Sequence, residues 1–190
     1  MSAASNTVTV TVDDAWAIPA PGQIVSYQFS TDVMSGSTDL ALASLFSGST
    51  VSVTFDYDNA APAMTFSEHT EYTGGLFSLS GTVNGSSFSG FGGTAIVSDD
   101  RYAPPALQDM LQLGTDALNF AGYAEGSYTL VGVRIFWLEG QNNITDFLTN
   151  EDLPTALPSF EGRLALDFTP TATPGATSSV FFDGVFVTPY

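Results

Sequence analysis

The chain contains no cysteine and no lysine, a single histidine and only three arginines, Arg101, Arg134 and Arg163, among its 190 residues. Without cysteine there are neither disulfides nor thiolate-bound metals, and one histidine does not by itself build the usual zinc environment. Metallohydrolase chemistry is disfavoured on that ground, and a Ser-His-Asp triad has only His69 to draw on. Against three arginines stand 20 acidic side chains, for a formal net charge of -17. A field of that sign repels phosphate backbones and anionic bilayers, so no nucleic-acid partner is expected. Long apolar runs are missing too. No stretch approaches the ~18 residues that span a bilayer as a helix, and the opening Met1-Ser-Ala-Ala-Ser-Asn6 has neither the basic nor the apolar region of a signal peptide. No membrane insertion is expected. Those small residues read as what remains after a small-residue cleavage site, with Met1 added.

What the chain does have is apolar and hydroxylic. Hydrophobic residues reach 44%, with 15 Phe, 7 Tyr and 2 Trp, enough for a substantial core. Charged residues are 12%, about half the usual ~25%, so the surface is expected to be rich in Ser and Thr rather than in ions. No linker or composition shift divides the sequence, and residues 1–190 read as one domain.

The dominant pattern is period-two alternation of β-branched or aromatic residues with Ser or Thr, the mark of strands with one buried face. It runs through Thr7–Val12, Ile24–Phe29, Thr50–Tyr57, Leu76–Val83, Ser87–Phe91, Thr94–Val97, Ser127–Leu138, Phe160–Phe168 and Ser179–Val187. In Thr50–Tyr57 one face carries Val51, Val53, Phe55 and Tyr57, the other Ser52, Thr54 and Asp56. Turns are expected at Met34-Ser-Gly-Ser37, Thr73-Gly-Gly75, Gly92-Gly93 and Thr173-Pro-Gly175, and above all at Asn84-Gly85, where both residues tolerate the positive φ of a type I′ hairpin. Short helices are expected within Pro104–Gly114 and at Ile144–Leu148. With many strands and no βαβ rhythm, the expected fold is all-β, an antiparallel, jelly-roll-like β-sandwich with one or two short helices, a closed barrel being the alternative.

Candidate sites are few. Asp56 and Asp58 are two apart and share a strand face, and with Asp99 and Asp100 they are the candidate calcium ligands; no other cofactor is expected. His69, between Glu68 and Glu71, has the residue types of a general base with an orienting carboxylate, but reads as a loop residue before a turn. Trp16, Tyr72, Tyr102 and Tyr123 are candidate aromatic platforms for a glycan, whereas Trp137 lies in an apolar run and reads as core. Arg134 and Arg163 each interrupt an apolar strand and call for carboxylate partners. Paired carboxylates suited to glycan cleavage cannot be picked out among 20 acids.

Three stretches carry a resemblance: Gly48-Ser-Thr-Val-Ser-Val-Thr-Phe-Asp-Tyr-Asp-Asn-Ala-Ala-Pro62, Gly74-Gly-Leu-Phe-Ser-Leu-Ser-Gly-Thr-Val-Asn-Gly85, and Leu153-Pro-Thr-Ala-Leu-Pro158 followed by a final strand. In style the chain resembles exported bacterial proteins of the PEP-CTERM group, which carry a Pro-Glu-Pro sorting tail; the 190 residues do not include that tail. The resemblance implies secretion or a cell-surface location and transfers no site residues. The expected function is therefore a non-enzymatic surface or extracellular-matrix protein for adhesion or assembly, with self-association or an extracellular glycan as partner. A carbohydrate-binding module, calcium-dependent or not, is the second reading, and a glycan-cleaving enzyme with paired carboxylates the third.

Overall fold

The computed structural model describes residues 24–99, 109–115, 120–121, 123–138, 147–148 and 150–187. Among them are twelve strands and one helix: β1 (Ile24–Thr31), β2 (Met34–Ser37), α1 (Leu40–Phe46), β3 (Val51–Asp58), β4 (Ala63–Thr65), β5 (Thr70–Val83), β6 (Ser86–Ser98), β7 (Met110–Thr115), β8 (Phe120–Ala121), β9 (Ala124–Glu125), β10 (Tyr128–Leu138), β11 (Gly162–Pro170) and β12 (Ser178–Gly184). The expected strand at Thr7–Val12 and the expected turn of helix at Ile144–Leu148 fall wholly or mostly outside the described residues.

The all-β antiparallel architecture is as expected. All strands belong to one sheet in the order β1-β3-β5-β6-β7-β10-β11-β12-β2, with β4, β8 and β9 paired at its margins. The path follows the chain, so sandwich-like packing arises from one meandering sheet curling on itself, without the crossing connections of a jelly roll. Its two ends meet. β2 follows β1 after two residues yet pairs with β12 at the far end, while Gln28 and Val187 exchange backbone hydrogen bonds of 2.6 and 2.8 Å along the free edge of β1. One segment, 24–37, thus borders both ends of the sheet.

Alternation decides what lies within. Val51, Val53, Phe55 and Tyr57 of β3 are buried, and they join Phe29, Leu113, Ile135, Trp137, Leu164, Phe168 and Phe182 in a continuous core. Trp137 is fully enclosed and its indole N–H donates to the Phe160 carbonyl at 3.3 Å. At one end of the barrel-like sheet, α1 inserts Leu42 and Phe46, the latter 5.2 Å from the Phe168 ring. Asp39 caps that helix, its Oδ1 accepting from the Ala41 and Leu42 N–H groups at 2.8 and 3.2 Å. At the other end, tyrosines tie down the stretch 151–157. The Tyr72 hydroxyl donates to the Glu151 carbonyl (2.8 Å) and accepts from the Leu153 N–H (3.1 Å), Tyr57 donates to the Pro154 carbonyl, and Tyr27 accepts from the Leu157 N–H (3.2 Å). Burial pushes all three hydroxyls above the ordinary tyrosine value.

The Asn84-Gly85 hairpin is present, with φ of 50° and 83°. Four other local expectations are corrected. Met34–Ser37 is strand β2, held by its pairing to β12. Thr73-Gly-Gly75 and Gly92-Gly93 are not chain reversals but lie within the long strands β5 and β6, where the register shifts between Thr73 and Leu76; positive φ at Gly74 and Gly92 bends the pair without ending it. Met110–Gly114, expected to belong to a short helix within Pro104–Gly114, lies instead in β7 (Met110–Thr115), bonded on one side to β6 and on the other to β10. The one helix, α1, was not expected from the sequence, although Asp39 before Leu42, Leu45 and Phe46 supplies a cap and an apolar stripe.

Candidate functional site

Because the inner face is filled by side chains, the outer face carries the chemistry. Its residues line up across strands: Ser30, Ser52, Thr82 and Ser87 form one row, Gln28, Thr54, Ser80 and Ser89 the next, and Ser26, Asp56, Ser78 and Phe91 a third. Adjacent strands stand ~4.8 Å apart, so hydroxyls repeat at that spacing across the sheet. An open trough of about 450 Å³ runs between the first two rows. A face of hydroxyls over an apolar interior is the inverse of a membrane-spanning barrel, and among the described residues no helix is long and apolar enough to cross a membrane.

Large apolar side chains interrupt this polar face. Phe77 and Phe91 are 51% and 66% exposed on adjacent strands. A register shift between β3 and β5, where Asp56 and Tyr57 pair with Ser78 and Leu76, explains the first: Leu76 and Leu79 both point inward although three apart, which leaves Phe77 outside.

Farther round the sheet lie two ion pairs. Arg134 grips Asp167 with Nε and Nη2 at 2.7 and 2.8 Å, and Asp167 Oδ1 also accepts from the Ser179 hydroxyl at 2.6 Å. Arg163 grips Asp183 at 2.6 and 3.2 Å, its guanidinium 6.0 Å from both the Phe136 and Phe181 ring centres. The carboxylate partners expected of both arginines are therefore present. Each guanidinium pKa is raised, first by the hydrogen bonds it donates to its own aspartate. Beside the first pair, a second open trough of about 440 Å³ passes over Gly93, Gly114 and Gly132, bordered by Thr94, Gln112 and Thr177.

The candidate calcium ligands divide. Asp56 and Asp58 do share the outer face of β3, both half-buried. Asp56 is occupied by neighbours, Oδ1 accepting from Ser26 Oγ and Oδ2 from Ser78 Oγ, both at 2.6 Å. Asp58 Oδ1 accepts from the Ala60 N–H at 2.9 Å in the following turn. Asp99 sits in the bend after β6, and Asp100 lies outside the described residues. Among the described residues no three His, Asp or Glu side chains converge as a metal-ligand group.

His69 does meet a carboxylate, Nε2 standing 3.2 Å from Glu71 Oε1, with its ring stacked on Phe66 at 4.9 Å. Of the aromatic platforms, Tyr72 and Tyr123 are core residues: Tyr72 bonds the 151–153 backbone and Tyr123 donates to Glu125 at 2.9 Å. Trp16 and Tyr102 lie outside the described residues. Phe77, Phe91 and the glycine-floored trough were missed because each depends on strand irregularity or on residues far apart in the chain.

Comparison with known proteins finds no family model, no curated protein and no solved structure that matches this chain.

Proposed function

We propose that this protein is a non-enzymatic, exported surface or extracellular-matrix protein that works in adhesion or assembly through the outer face of its curled sheet. The observation that carries the reading is that face itself: ordered rows of Ser and Thr hydroxyls, low in charge, broken by the exposed Phe77 and Phe91. Apolar groups that size on a polar ground favour contact with another surface. The route to assembly is then through the face and not the strand edges, because segment 24–37 already joins both ends of the sheet. The resemblance to exported PEP-CTERM proteins supports the location. A carbohydrate-binding role is the second reading, favoured by the two open troughs on the same face.

The test is retention under flow. Beads coated with the protein are passed over bacterial matrix material and over a monolayer of the protein itself, beside beads coated with an inert protein of similar charge. The reading expects selective retention, reduced several-fold by Phe77→Ser with Phe91→Ser at an unchanged unfolding midpoint. Retention no better than the inert control on both surfaces sinks it.

A further inference from the structure

We propose that the trough over Gly114 is a binding cleft for a neutral glycan, read by the Arg134–Asp167 pair; this deepens the adhesion reading and rests on it. Glycine in a strand interior weakens the strand and, where nothing local requires it, marks a place that something else must approach closely. Gly93, in the same trough, is required locally: a Cβ there would come within 2.2 Å of the Gly114 carbonyl oxygen. Gly114 is different. It has no positive φ, and a Cβ would find its nearest neighbour, Arg134 Cγ, at an ordinary 3.4 Å. Neither backbone nor packing demands glycine, and its effect is to leave the floor open.

The wall is pre-oriented. Asp167, nearly buried, is fixed by the two-point grip of Arg134 and by Ser179, so the planes of carboxylate and guanidinium are set before any ligand arrives. Arg134 has 38% of its side chain exposed, and the Nη1 donors of its fork are not used in that grip. Gln112, half-buried, and Thr177, exposed, add an amide and a hydroxyl, while half-buried Ile96 and Val131 give the trough apolar flanks. Planar polar groups beside apolar flanks match a sugar ring, which has hydroxyls at its rim and C–H groups on its faces. Charge narrows the class further. The pair is neutral as a unit within a chain of net charge -17, so polyanions are repelled and hydroxyl groups are the fitting acceptors. The volume of about 440 Å³ falls within the ~300–1,000 Å³ usual for ligand sites.

Affinity electrophoresis through gels containing dextran, mixed-linkage β-glucan, galactomannan or xylan, with alginate as the anionic control, tests this directly. Expected is retardation by at least one neutral polymer and none by alginate, with a tenfold or greater loss of affinity in Gly114→Val at an unchanged unfolding midpoint. Should Gly114→Val not fold, Gln112→Ala and Thr177→Ala serve instead, each with a several-fold loss. Retardation by no neutral polymer, or retardation that all of these variants retain, overturns the proposal. Bead retention that persists in Gly114→Val without glycan retardation removes the cleft and leaves the adhesion reading standing. Failed bead retention removes the adhesion reading and, with it, the functional setting of the cleft.

Discussion

Helix α1 offers a comparison of two identical substitutions two positions apart. Leu42 is fully buried against the core and Leu40 is 91% exposed. A seven-residue helix is not stable alone, so its place at the end of the sheet rests on burying Leu42 and Phe46 and on the Asp39 cap. Both substitutions end in alanine, so the change in intrinsic helix preference is the same and cancels. Leu42→Ala loses the transfer free energy of a buried leucine and leaves a cavity, together about 3 kcal/mol. For a chain of this length that corresponds to a fall of about 6–12 °C in Tm. Leu40→Ala is expected within about 0.5 kcal/mol of the parent. Urea unfolding followed by circular dichroism, with a check that the slope is unchanged, gives both numbers. Equal midpoints for the two variants, or a loss below about 1 kcal/mol for Leu42→Ala, would refute the picture of α1 closing the core.

Three further outcomes are expected. The Asp39 carboxyl is held below its ordinary pKa, first by the Leu42 N–H, against opposing burial, and then by the Tyr128 hydroxyl, the Ala41 N–H and the Ser178 hydroxyl. Its contribution to stability is therefore complete above the unfolded-chain pKa and is lost as pH falls through the lower folded value, so the Tm gap between parent and Asp39→Asn should close below about pH 4; a gap independent of pH would contradict the cap. Thr115 is buried and its Oγ1 has no hydrogen-bond partner among the described residues, so Thr115→Val should stabilise by about 1 kcal/mol in the same urea titration, and a comparable loss would reveal a partner for the hydroxyl. Calcium in excess should leave Tm where a chelator leaves it at matched ionic strength, because both oxygens of Asp56 are held by serines; a rise specific to calcium and abolished by Asp56→Asn would restore a metal site.

Much of the strand content was legible because alternation is local. Val51 to Tyr57 declares an inner and an outer face within seven residues, and Asn84-Gly85 declares its turn within two. Trp137 reads as core from its neighbours alone. The failures share a cause. Gly74-Gly75 and Gly92-Gly93 have the composition of turns, and only the pairing of β5 with β6 makes them irregularities inside continuous strands. Leu107, Met110 and Leu111 have the spacing of a helical stripe, yet β7 is settled by the edges of β6 and β10 on either side. Tyr72 and Tyr123, read as surface platforms, are drawn inward because their hydroxyls find partners at the barrel end and on Glu125.

The sequence by itself determined the strand-rich class, the division of residues into apolar and hydroxylic faces, the acidic field and the need of Arg134 and Arg163 for carboxylates. These follow from side-chain chemistry and a two-residue period, which are properties of a segment. The tertiary structure alone decided that one sheet closes on itself through segment 24–37, that Asp167 and Asp183 are the partners chosen, and that Gly114 lies open beside Arg134. Those are matters of register between strands distant in the chain, and register is set by how the whole sheet curls around its core.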